Sequence, residues 1–178
     1  ALSGGDVTTF FDHSPLIGMA NPLAPPIRIE FGEDVVVGRV TFGSVYEGPP
    51  GCVHGGFVAA AFDEVLGSAQ TFSGQPGMTA RLTVNYRRPT PLHAPLEIEG
   101  RFDRLEGRKV FTSGRIVVDG EVTAEAEGLF VSMDAERFRA LADGFDGRVR
   151  PDSASPARGE ADTAFASRLR SAGEPWRS

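Results

Sequence analysis

The chain has 178 residues, 40% of them hydrophobic and 24% charged, which at this length favours one domain over two separately stable cores. Its 22 glycines and 13 prolines disfavour an all-helical bundle, and a formal charge of −6 argues against a broad surface for nucleic acid or anionic membrane. Cys52 is the only cysteine and His13, His54 and His93 the only histidines, so an intrachain disulfide, a thiolate zinc cluster and a multi-histidine metal centre find no support, and a reducing compartment fits.

Residues 1–26 carry Pro15, Pro22, Pro25 and Pro26 and read as an arm that holds neither a long helix nor an interior strand. Phe10, Phe11, Leu16 and Ile17 give it the means to fold onto the body. Residues 27–31 and 34–42 read as a hairpin turning at Gly32-Glu33, with Val36, Gly38 and Val40 on one face and Val35, Val37 and Arg39 on the other. The turn EGPPG at 47–51 leads through Cys52 and Val53 into His54-Gly55-Gly56, and a helix begins near Gly56.

That helix has almost no polar face: Phe57, Val58, Ala59, Ala60, Ala61, Phe62, Val65 and Leu66 predict that it is buried. Asp63 and Glu64 are adjacent, so either one of them is driven towards a low-dielectric region or an interface, or both sit where the helix meets solvent. After a loop at 73–77, residues 78–89, 95–106 and 108–119 read as strands, and Asp119-Gly120 is a two-residue hairpin signal leading into a last strand at 121–133. In that strand Val122, Ala124, Ala126, Gly128 and Phe130 form an inward face whose small residues permit close helix packing. A short helix is expected at 134–141 and a loose tail at 142–178, where six basic and six acidic residues cancel, so the charge of −6 belongs to the residues before it. No apolar run spans a bilayer and no basic-then-hydrophobic leader opens the chain, which makes the cytoplasm the expected compartment.

One long helix with mainly antiparallel strands predicts an α+β domain at 27–141, flanked by the arm and the tail, in which the sheet curls around the helix. At His54-Gly55-Gly56 the chain enters the helix with two residues that lack side chains, so an oxygen could approach unpaired N–H groups at its positive end. A glycine turn needed only for packing gives the same signature. Asp63 lies about 10 Å further along the helix axis, too far to meet the same atom within one subunit.

The segments GCVHGGFVAAAFDEVLG and GMTARLTVNYRRPTPL resemble the hotdog-fold acyl-CoA thioesterases, in particular the PaaI/THEM-like branch, over residues 33–132. The matching positions are His54, Asp63, Thr79, Tyr86 and Pro89. The resemblance implies a homodimer of curled sheets joined into one continuous sheet, with two sites at the interface and a tetramer as a further state of the family. It implies hydrolysis of an acyl-CoA thioester by Asp63, as general base or as nucleophile. The Gly56 N–H, with Gly55, would form the oxyanion hole, Thr79 would position the water or the carboxylate, and His54 would orient the loop or polarise the carbonyl. No metal or separate cofactor is implied, since coenzyme A is part of the substrate.

Its phosphates call for cations, and Arg87, Arg88 and Pro89 or Arg108 and Lys109 are the candidates, against the alternative of ordinary charged strand ends. Glu47-Gly48-Pro49-Pro50 stands where relatives carry an asparagine, so that residue's role does not transfer. Two other readings stay open: a non-catalytic acyl-CoA or lipid-binding protein, and a hotdog enoyl-CoA hydratase, which would need a histidine closer after Asp63 than His93. The arm is a candidate cap for the acyl tunnel, whose depth depends on the packing of Phe57, Phe62 and Phe72.

Overall fold

The computed structural model describes residues 14–18, 21–75, 77–134 and 136. Six strands, β1 (Arg28–Phe31), β2 (Val36–Thr41), β3 (Gly77–Tyr86), β4 (Pro95–Glu106), β5 (Lys109–Val118) and β6 (Glu121–Ser132), surround one long helix in sequence, α1 (Gly55–Ala69). The strands form a single antiparallel sheet in the order β1-β2-β4-β5-β6-β3. All these elements lie in the first of the chain's two units, Ala1–Asp134. The helix expected at 134–141 and the tail at 142–178 lie outside the described residues, apart from Asp134 and Glu136.

The expected curl of the sheet around the helix is not what forms. The sheet is open, with β1 and β3 as its two edges, and α1 packs against β2, β3, β4, β5 and β6. Val58, Ala61, Phe62, Val65, Leu66 and Ala69 are the buried stripe of α1, at the spacing of one helix face. Phe57, Ala59, Ala60, Asp63, Glu64 and Gly67 are only half-buried. The lack of polar residues on α1 therefore reflects a second apolar face that the chain's own sheet leaves uncovered.

Close approach of helix and sheet depends on residues without side-chain bulk, as the pattern of the last strand predicts. Gly100, Gly114 and Ala126 are cross-strand neighbours on β4, β5 and β6. A Cβ on Gly100 would lie 2.9 Å from Val65 Cγ1, and one on Gly114 would lie 2.9 Å from Leu66 Cδ2 and 2.4 Å from the Glu99 carbonyl oxygen. Val65 and Leu66 thus sit in a trough across the sheet centre and are fully buried. The alternation read from the sequence holds on β6 from Ala124 to Phe130 but fails at its start, where a bulge between the pairs Ile116–Ala124 and Val117–Val122 leaves Thr123 buried and Val122 half-buried.

Candidate active site

The segment before α1 is a network of backbone hydrogen bonds. Gly48 N donates to Cys52 O at 2.9 Å, Val53 N to Thr90 O at 2.8 Å and His54 N to Tyr46 O at 2.8 Å. Gly51 takes a positive φ of 74° and donates its N–H to Glu47 Oε1 at 2.7 Å, so Glu47 closes this turn.

His54 is the N-cap of α1, and its Nδ1 accepts the Gly56 N–H at 3.0 Å. An accepting Nδ1 carries no proton, so the neutral ring presents an N–H at Nε2. The Gly56 N–H expected to face a thioester oxygen therefore has a partner within its own loop. Gly55 is the first helical residue, whose N–H has no intrahelical acceptor by construction. Its carbonyl accepts the Tyr86 hydroxyl at 2.7 Å, which fastens the end of β3 to the start of α1. Beside this turn, Pro15, Leu16, His54, Gly56, Phe57 and Ala60 line an open, largely apolar pocket of about 320 Å³.

Asp63 stands two turns along α1, half-buried, and its Oδ1 accepts the Thr79 hydroxyl at 2.9 Å. The contact depends on an irregularity in β3. Leu82 and Val84 turn towards the core and Tyr86 towards Gly55, so strict alternation would point the odd-numbered Thr79 to the opposite face. The register instead steps from Thr79–Phe130 to Arg81–Leu129, and the bulged residue Ala80 brings Thr79 round to the helix side.

Glu64 is the carboxylate driven into a poorly solvated position. Burial pushes its pKa above the ordinary 4.5 and the neighbouring Asp63 charge adds to this, while a hydrogen bond from the Ser14 hydroxyl works the other way. Sequence reasoning left Glu64 without a role and passed over Ser14. Adjacent carboxylates on an apolar helix were the available signal for Glu64, whereas the approach of Ser14 is a tertiary contact.

The candidate cations fall into two groups at opposite ends of β3. Arg87 pairs with Glu125 at 2.7 Å and Arg88 with Glu121 at 2.5 Å, just past Tyr86 and Pro89-proximal, near the start of α1. Arg108 donates twice to the Ser132 carbonyl, at 3.2 and 2.9 Å, and Ser132 pairs with Gly77 at the other end, where Lys109 is exposed. The nine residue steps from Gly77 to Tyr86 put about 30 Å between the groups, so one chain does not gather them around one nucleotide. A larger depression of about 470 Å³ includes Arg87, Arg101, Arg115, Glu99 and Glu125 and is far richer in charge than the pocket at His54. Its arginines are paired with carboxylates, Arg115 with Glu99 and Arg101 with Asp34. Among the described residues no group of three or more His, Cys, Asp or Glu side chains is placed to hold a metal, and no helix is long and apolar enough to cross a membrane.

The family model described as "Thioesterase superfamily" matches residues 50–125. The chain is similar to acyl-coenzyme A thioesterase THEM4 of Bos taurus, 41% identical over 97 residues that make up 53% of this chain and 40% of that protein. It is similar to the Xenopus laevis protein of the same name, 40% identical over 51% of this chain and 42% of that one. The chain thus spans about two fifths of the length of these curated relatives. A crystal structure of a thioesterase superfamily protein is 47% identical, with a TM-score of 0.64, over 67% of this chain and 63% of that one. Zebrafish thioesterase superfamily member 2, at 15% identity and a TM-score of 0.61 over 71% of this chain and 94% of that one, shares the fold.

Proposed function

The chain belongs to the hotdog-fold thioesterase superfamily, close to its PaaI/THEM-like branch, and from that premise we propose that it hydrolyses an acyl-coenzyme A thioester to a free carboxylic acid and coenzyme A. The observation that carries this reading is the Thr79 hydroxyl held on the Asp63 carboxylate at 2.9 Å, on a helix whose start is built from His54, Gly55 and Gly56. Asp63 acts as general base on a water or attacks the thioester carbonyl directly, and Thr79 positions it by occupying one of its oxygens.

Charge developing on the carbonyl oxygen is stabilised at the start of α1. Here the Gly55 N–H and the His54 Nε2–H are the available donors, and the Gly56 N–H joins them if the oxygen displaces His54 Nδ1. His54 thereby serves both as the cap that shapes the turn and as the group that polarises the carbonyl. In the hydrolytic step water adds to the carbonyl carbon, the C–S bond breaks, and the thiolate leaves and takes up a proton.

Asp63 and Gly56 lie about 10 Å apart along one helix, so a site that contains both takes Asp63 from one subunit and the helix start from the other. The half-buried second face of α1, with Phe57, Ala59 and Ala60, supports a homodimer of this kind. Coenzyme A phosphates would displace Glu125 and Glu121 from Arg87 and Arg88, while Lys109 or Arg108 would come from the partner subunit. Thiol release from a panel of short, long and aryl acyl-CoAs tests the reading, with light scattering for the assembly. Asp63→Asn is expected to lower turnover at least a hundredfold. Turnover unchanged in that variant would remove Asp63 from the mechanism, and tight binding without thiol release in wild type would identify a non-catalytic acyl-CoA-binding protein.

A further inference from the structure

The geometry points to Leu16, on a turn held against the start of α1, as the residue that sets how long an acyl group the site accepts. This rests on the thioester reading, and concerns which substrates that site takes. The pocket of about 320 Å³ opens beside Gly56, where the thioester carbonyl would sit. One wall comes from α1, through Phe57 and Ala60, and the other from Pro15 and Leu16. The volume stands at the low end of the roughly 300–1,000 Å³ usual for ligand pockets. A lining this poor in polar groups suits an acyl chain and leaves the nucleotide outside.

The Leu16 wall is built. Ser14 Oγ accepts the Leu16 and Ile17 N–H groups at 3.2 and 3.3 Å, and the Ser14 carbonyl accepts Gly18 N at 3.1 Å and Asn21 Nδ2 at 3.3 Å. These bonds fold residues 14–18 into a closed turn. Ile17 packs on the core, and Tyr46 Oη donates to Leu23 O at 3.2 Å further along. The turn is thus closed on itself and tied to the body after Leu16, whose side chain is left facing the pocket. A wall fixed this way limits length sterically.

The test compares wild type, Leu16→Ala, Leu16→Trp and Ser14→Ala on straight-chain acyl-CoAs from acetyl to palmitoyl, reading kcat/KM by thiol release. Leu16→Ala is expected to move the optimum two or three methylenes longer, each newly buried methylene adding about fourfold, and Leu16→Trp to move it shorter. Ser14→Ala is expected to flatten the profile. Both Leu16 variants keeping the wild-type profile overturns the inference and leaves the hydrolysis reading intact. If wild type releases no thiol from any member, the hydrolysis reading fails. The same panel is then read by calorimetric binding, where a chain-length dependence that shifts with Leu16 sustains the inference, and an unshifted one, or no binding at all, overturns it.

Discussion

Thr79→Val isolates the hydroxyl that meets Asp63, because valine keeps the β-branched shape and removes only the donor. The bond is 2.9 Å long and ends on an ionisable oxygen, and hydrogen bonds to charged groups contribute roughly 1.5–3 kcal/mol. Thr79 is solvent-exposed, which places this one at the lower end, about 1.5 kcal/mol, or about a tenfold fall in kcat. Stability should fall by no more than that same amount, since an exposed strand position accepts valine as readily as threonine. The assay is thiol release from the best acyl-CoA of the panel, with a urea melt for each variant. Thr79→Ser should retain most of the activity. On the proposed mechanism Thr79 acts only through Asp63, so adding Thr79→Val to Asp63→Asn should cost little further. The reasoning is refuted if Thr79→Val turns over within twofold of wild type, or if Thr79→Ser falls as far as Thr79→Val.

Gly114→Ala forces a methyl group to within 2.4 Å of a backbone oxygen and 2.9 Å of Leu66, and is expected to cost about 3 kcal/mol of unfolding free energy; an unmoved urea midpoint would contradict the trough across the sheet. His54→Ala should remove about 1 kcal/mol of stability through loss of the cap and lower kcat by a larger factor; a stability loss with kcat unchanged would leave His54 as a cap alone. Glu64 has a raised folded-state pKa, so its contribution is fully present below the ordinary 4.5 and is lost as pH rises through the folded value. The stability difference between wild type and Glu64→Gln, followed by urea melts from acid to neutral pH, should therefore move against wild type as pH rises, and movement the other way would show that burial does not dominate at Glu64.

Strand positions were legible in the sequence because alternation is local. The hairpins at Gly32-Glu33 and Asp119-Gly120, and the helix start at the two glycines, needed only near neighbours to be read. Burial of α1 was legible in part. Its apolar composition announced two covered faces, but composition does not say what covers each, and the chain's own sheet covers only the stripe from Val58 to Ala69.

The candidate site divides in the same way. His54, Gly55, Gly56 and Asp63 lie within ten residues, and helix geometry alone separates Asp63 from the glycines by two turns. That Thr79 meets Asp63 depends on a bulge at Ala80, and no alternation pattern reveals a bulge, because it arises from how β3 pairs with β6. Tertiary structure also decided that Arg87 and Arg88 lie far from Arg108 and Lys109, and that Ser14 comes close enough to Glu64 to bear on its pKa. Sequence determines what is set by covalent spacing and helix or strand period. Contacts between distant segments depend on register, where a step of one residue turns a side chain to the opposite face, and only the folded sheet fixes that step.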